Sequence, residues 1–305
     1  MQPSQTLPRT DFSTLRLLYP QWQGGDVASW FKDLSPKEAA QGYVLGAQIL
    51  NLLVDSIAPS ANTAVVNIEK DFMLDSAGQR VAQEGIIDKA PLLRQTKAAF
   101  EILKTRKPAK ILTLGGECAV SVPSFCYLAS LYDDVALVWL DAHPDIGLPN
   151  DDFYQGYHAM AVSAIIGQGG LQETFGLPSW LESSKVLLVG LHSDEAKHYA
   201  PRQKEFGLAS LAPNDVAKDS SKILGWLAKS GAKRVMIHLD LDVLDARELY
   251  VAVGNTGQMS LEQVMRIIND IAAQYEVVGL TIAEHLSKAH IKLRRLLENL
   301  PLVKE

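Results

Sequence analysis

Only two cysteines occur in the 305 residues, and no run of five or more basic side chains is present. Two cysteines cannot build a disulfide framework. Cys118 and Cys126 share a segment with helical patterning that would hold them too far apart to bond, so a reducing cytoplasm is the expected setting. The 29 Lys+Arg against 35 Asp+Glu give a net charge of −6, so the basic footprint of a nucleic-acid binder is missing and no nucleic-acid partner is expected. Small or cationic ligands fit better. The longest uncharged stretch, 39–54, is interrupted by Gln41, Gly42, Gly46, Gln48 and Asn51 and falls short of the roughly 20 apolar residues a bilayer span needs, so no membrane partner is expected. The opening residues MQPSQTLPRTDF lack a charged region followed by an apolar run, and no secretory signal is expected. The composition that remains, 47% hydrophobic and 21% charged, is that of a globular chain and excludes disorder, collagen and coiled coil.

Short apolar runs recur at 15–19, 64–68, 110–114, 135–140, 186–189, 234–239 and 277–282, with a weaker eighth near 206–211. Most are apolar throughout rather than alternating, the pattern of strands buried on both faces. Helix-length amphipathic segments separate them. Ser35 with Pro36 and Glu38 opens one helix to about Ile57, and Ser260 with Gln263 opens another to about Gln274. Strand and helix alternate from end to end, which predicts an α/β fold: a mostly parallel eight-stranded sheet between helical layers, one domain over 1–305. The stretch 144–157 has no clear element, and loops of that length are more often functional than idle. Ligands of open α/β sheets bind outside the carboxyl ends of the strands.

Chemistry gathers at two of those ends. The run 135–140 is followed by Asp141, His143 and Asp145, which extended backbone would put on one side. The run 234–239 is followed by Asp240 and Asp242 in the same relation. Four carboxylates and an imidazole this close repel one another unless protons or cations intervene, which points to divalent metal and favours a pair of ions. Isolated histidines such as His238 and His192 read instead as structural.

These segments resemble the ureohydrolase family of arginases and agmatinases. The family's stretches are Gly-Gly-Asp-His-Ser, Asp-Ala-His-x-Asp, Asp-x-Asp-x-x-Asp-Pro and a late Glu; here they read Gly115-Gly-Glu-Cys-Ala119, Asp141-Ala-His-Pro-Asp145, Asp240-Leu-Asp-Val-Leu-Asp-Ala246 and Glu284. The resemblance implies an arginase-like three-layer αβα fold and two divalent ions, most often Mn²⁺, whose bridging hydroxide attacks a guanidinium carbon. It implies Asp141 and Asp240 as bridging ligands, His143 and Asp242 completing one ion, and Asp145 with Cys118 at the other. Glu284 would hold the guanidinium and His158 would shuttle a proton to the leaving amine, with Asp145 counted beside them as catalytic. Trimers or hexamers of the same chain are implied as well.

Cys118 is the main departure, because it stands where the family has a metal-binding His. A thiolate is softer than imidazole and shifts preference toward Zn²⁺, Co²⁺ or Fe²⁺. Cys118 could also be a buried turn residue that binds nothing. Glu117 and Ala246 replace Asp and Pro, and Asp245 reads as a loop former. The Ser and Asn hooks by which arginases grip amino-acid substrates are not evident around 151–156; Asp152, Tyr154, Asp194 and Glu195 are the candidates for substrate contact. The expected activity is hydrolysis of a guanidino compound, whether arginine-like, agmatine-like or hydroxyarginine-like. A single-zinc amide deacetylase of similar fold and a non-catalytic binding relative are the alternatives.

Overall fold

The computed structural model describes residues 14–303 apart from 32, 71–72, 150, 252–256, 287 and the side chain of Trp30; the opening segment read for a signal lies outside the described residues. Eight strands form the sheet: β1 Thr14–Tyr19, β2 Thr63–Val65, β3 Lys110–Gly115, β4 Val135–Leu140, β5 Val186–Val189, β6 Ala209–Leu211, β7 Arg234–Asp240 and β8 Glu276–Ala283. Their order is β2-β1-β3-β8-β7-β4-β5-β6, and every pairing is parallel. All eight carboxyl ends therefore face one edge. The weak eighth strand is shorter than 206–211 because Phe206 and Gly207 still close the helix Ala200–Glu205, with Gly207 in the left-handed region (φ 69).

The continuous apolar runs follow from burial on both sides. Along β4 every residue is buried, and its side chains divide by alternation: Val135, Leu137 and Trp139 enter one core, Ala136, Val138 and Leu140 the other. The main helices are α1 Pro36–Ile57, α2 Lys89–Arg106, α3 Ser121–Leu131, α4 Ser221–Ser230, α5 Leu261–Gln274 and α6 Lys288–Leu297. Leu92, Leu103 and Phe125 of α2 and α3 fill the first core; Ile223, Leu227, Ile267 and Ile271 of α4 and α5 fill the second. Three layers result. Ser35 and Ser260 both close capping boxes, with Glu38 and Gln263, at the two helix starts read from sequence. Among the described residues no helix is long and apolar enough to cross a membrane.

One glycine decides how α1 meets the functional edge. A Cβ on Gly46 would lie 1.4 Å from the His285 carbonyl oxygen, so only glycine lets the helix settle against the end of β8. That contact brings Tyr43, one turn earlier, to Glu284.

Candidate metal centre

Three acidic residues at or just past the ends of β3, β4 and β7 turn their side chains back onto their own chain. Asp141 Oδ1 accepts from His143 N at 2.6 Å, Asp240 Oδ1 from Asp242 N at 2.6 Å, and Glu117 Oε2 from Ala119 N at 2.7 Å. Each bond reverses the backbone within two residues, the local habit of a short acidic side chain. Here the structure corrects the extended-backbone reading. The chain leaves the strand after Leu140, and Asp145 has left-handed φ of 49°, so His143 and Asp145 reach the site through a turn. Asp145 and Glu284 (φ 63°) are both non-glycine residues in this sparsely populated region, a strain that tends to collect at functional sites.

The donors form two groups that share Asp141. In the inner group, ligand atoms of Cys118, Asp141, His238 and Asp240 all lie within 4.8 Å of one another, and all four residues are buried. Asp141, His143 and Asp242 make the outer group, in which His143 Nδ1 sits 2.9 Å from Asp242 Oδ2 and 3.4 Å from Asp141 Oδ1. The Cys118 thiol donates to Asp240 Oδ2 at 3.0 Å. Asp145 belongs to neither group; its Oδ2 is buried with no partner among the described residues, and it lines a cavity of about 280 Å³ together with His143, Asp240 and Asp242. Asp245 lies apart, paired with Arg247 at the surface. Exposed Asp194 pairs with Lys197, whereas Glu195 faces the cavity.

Protonation shows what the cluster requires. Burial, then the Asp242 and Asp141 carboxylates, holds Asp240 well above the usual carboxyl range; burial, then Asp141 and Glu195, does the same to Asp145. Burial pushes Asp242 up to about 7 against the opposing pull of His143. The Cys118 thiol is raised by burial and by Asp240. Burial alone would lower His143, but the Asp242 and Asp141 carboxylates outweigh it and raise the imidazole well above its ordinary value. Without cations the cluster holds protons. The acidic donor set, together with buried atoms that lack partners, suits divalent ions.

A second constellation shares the cavity. Tyr43 Oη donates to Glu284 Oε2 at 2.5 Å, and His158 Nδ1 lies 3.5 Å from Glu284 Oε1. His158 Nε2 is 3.1 Å from the Tyr154 hydroxyl, which accepts from Asp26 N at 2.7 Å. Burial works to lower the His158 pKa, and Glu284 overrides it upward. Tyr43 was absent from the sequence reading, since 241 residues separate it from Glu284 and it sits on an ordinary apolar helix face. His238 reads from sequence as a satisfied structural histidine and is only half satisfied: Nδ1 meets Ser121 Oγ at 2.8 Å, while Nε2 has no partner among the described residues. Burial lowers its pKa to about 3, so the ring is neutral.

A family model described as the Arginase family matches residues 56–290. This chain belongs to the arginase family. It is 26% identical over 189 residues to an arginase of Staphylococcus aureus (strain MSSA476), covering 60% of each chain, and 26% identical over 184 residues to human arginase-1, covering 57% of this chain and 55% of that one. The matches thus span about 60% or less of the length of these relatives. Among solved structures, the Entamoeba histolytica arginase in complex with L-ornithine is similar with a TM-score of 0.71 and 16% identity, over 89% of this chain and 90% of that one; this likeness is one of fold.

Proposed function

We propose that this chain is a metal-dependent hydrolase that cleaves a C–N bond of a guanidino compound and releases urea. The observation that carries the reading is that Glu284, His158 and the acidic donor groups open onto one cavity. Asp141 and Asp240 are read as ligands shared between two ions, with His143 and Asp242 at one position and Cys118, with Asp145 nearby, at the other. Family membership favours Mn²⁺, and Cys118 favours Zn²⁺, Co²⁺ or Fe²⁺. When bound, the ions would act as Lewis acids that make a shared water acidic enough to serve as nucleophile near neutral pH.

The remaining work falls to side chains. Tyr43 ties down one Glu284 oxygen and leaves Oε1 to accept charge-assisted hydrogen bonds from a guanidinium. Water adds to the guanidinium carbon, the bond to the amine nitrogen breaks, and the amine departs with a proton. His158, between Glu284 and Tyr154, is positioned to deliver that proton. Other lining residues include Asp26, Phe153, Tyr154 and Glu195, and no Lys or Arg is among the described lining residues. Asp26 has a cationic neighbour, with Arg80 at 3.7 Å, so Glu195 is the acid left to meet a substrate's tail. An amine-tailed, agmatine-like compound fits this better than free arginine, whose carboxylate would find no cation. Assembly as homo-oligomers and a cytoplasmic setting complete the reading, by family membership and by the two free cysteines respectively.

The test is metal-reconstituted protein offered a panel of guanidino compounds and scored for urea, with amine-tailed compounds expected to lead. No urea from any of them, at full metal loading, would sink the proposal. One ion per chain would favour the deacetylase alternative, and none a binding relative.

A further inference from the structure

We propose that the inner ion is held by Cys118 Sγ, His238 Nε2, Asp141 and Asp240, so that His238 supplies the neutral nitrogen and Asp145 stays outside the ligand set. This deepens the metal-dependent reading above and rests on it. The four ligand atoms already lie within 4.8 Å of one another, and all four residues are buried. Donors 2.0–2.3 Å from a tetrahedral ion stand about 3.3–3.8 Å apart, so only small closing movements are needed. Asp145 offers no atom to this group.

The second observation is the state of His238. Its Nε2 is fully buried and has no partner among the described residues, although buried ring nitrogens are ordinarily satisfied. The opposite nitrogen is engaged by Ser121 Oγ at 2.8 Å, and in the tautomer whose Nδ1–H donates to that oxygen, Nε2 carries the lone pair that a metal requires. Trp139 stacks on the ring at 3.6 Å and 12°, which fixes its plane, and the same indole donates to Asp141 Oδ2 at 2.9 Å. One tryptophan thus orients two members of the group. His238 and Asp240, two residues apart on β7, share a face of the sheet.

Charge supports the assignment. With neutral His238 in place of a carboxylate, the ligands of both ions are Asp141, Asp240, Asp242 and the Cys118 thiolate. These are four negative groups against two divalent cations. Nitrogen and sulfur donors on the inner ion select Zn²⁺ or Co²⁺ over Mn²⁺, while the outer, more oxygen-rich group tolerates Mn²⁺ better.

Coordination is read directly rather than through activity, on the full chain loaded with Co²⁺ or Zn²⁺. Two Co²⁺ ions per chain are expected, with a near-ultraviolet sulfur-to-cobalt charge-transfer band. Cys118→Ser should abolish the band. His238→Gln should lose one ion or weaken it beyond the roughly 10- to 100-fold typical of changes outside the ligand shell, and Asp145→Asn should keep both. Unchanged affinity and band in His238→Gln, or loss of the inner ion in Asp145→Asn, overturns the assignment. Should His238→Gln fail to fold, zinc-edge X-ray absorption of the unaltered protein decides: scattering from two imidazoles and one sulfur across two zincs supports it, and a single imidazole overturns it. Two ions so ligated without urea release would sink the hydrolase reading alone, whereas absence of tight metal would sink both.

Discussion

The two donor groups that meet at Asp141 differ in nearly every physical respect. The inner one is made of four buried residues, contains the thiol and an imidazole stacked on Trp139, and of its members only Asp240 lines the cavity. The outer one faces the cavity through His143, whose side chain keeps 17% of its exposure, and through Asp242. In general a more enclosed, softer donor set favours retention of an ion, and a more open, harder set favours exchange with solvent. The difference puts the soft donors in the interior and leaves Asp240, His143 and Asp242 to meet what enters the cavity, beside His158, Glu284 and Glu195.

The largest effect should come from the residue common to both groups. Asp141→Asn is expected to lose both ions and reduce urea release to background; elemental analysis showing one ion retained would mean that the groups are independent. Next comes His158→Asn, which should cut kcat by roughly 10²–10⁴-fold while leaving metal content unchanged. A parallel loss of metal would place His158 in the ligand shell instead.

A smaller effect concerns the metal-free protein. Burial pushes Glu117 and Asp242 each up to about 7, while in the unfolded chain both titrate near 4. The folded state therefore binds the extra protons. Its advantage is complete below about pH 4 and is lost as pH rises toward 7, on the order of 3 kcal/mol from Glu117 alone. Urea midpoints of metal-free protein should fall across that window, and added divalent ions should recover the Asp242 share; a flat or rising profile would contradict this. The smallest change is Glu195→Gln, which should lower the preference for amine-tailed over neutral guanidino compounds by about tenfold, as an exchange of kcat/KM values would reveal. An unaltered preference would move the tail's partner elsewhere.

The acids at the strand ends were legible because they follow apolar runs directly, although the turns they make, each accepting an N–H two residues on, replace the extended backbone expected there. The same holds for Ser35 and Ser260, whose capping boxes mark helix starts in the residue string itself. His238 reads from sequence as a satisfied structural histidine, and its free Nε2 is not legible there, since neither Trp139 nor Ser121 is near it in sequence. Tyr43 carried no signal at all.

From its own order of residues, then, the chain specified an eight-stranded αβα sheet and the acidic pairs at its edge, through apolar runs and bonds spanning two or three positions. Which nitrogen of His238 is left free, which oxygen of Glu284 Tyr43 occupies, and that Asp145 stands aside from both donor groups were settled only when β3, β4, β7 and α1 packed together. Those contacts depend on where rigid elements cross, and crossing is a property of the packed core rather than of any short stretch of chain.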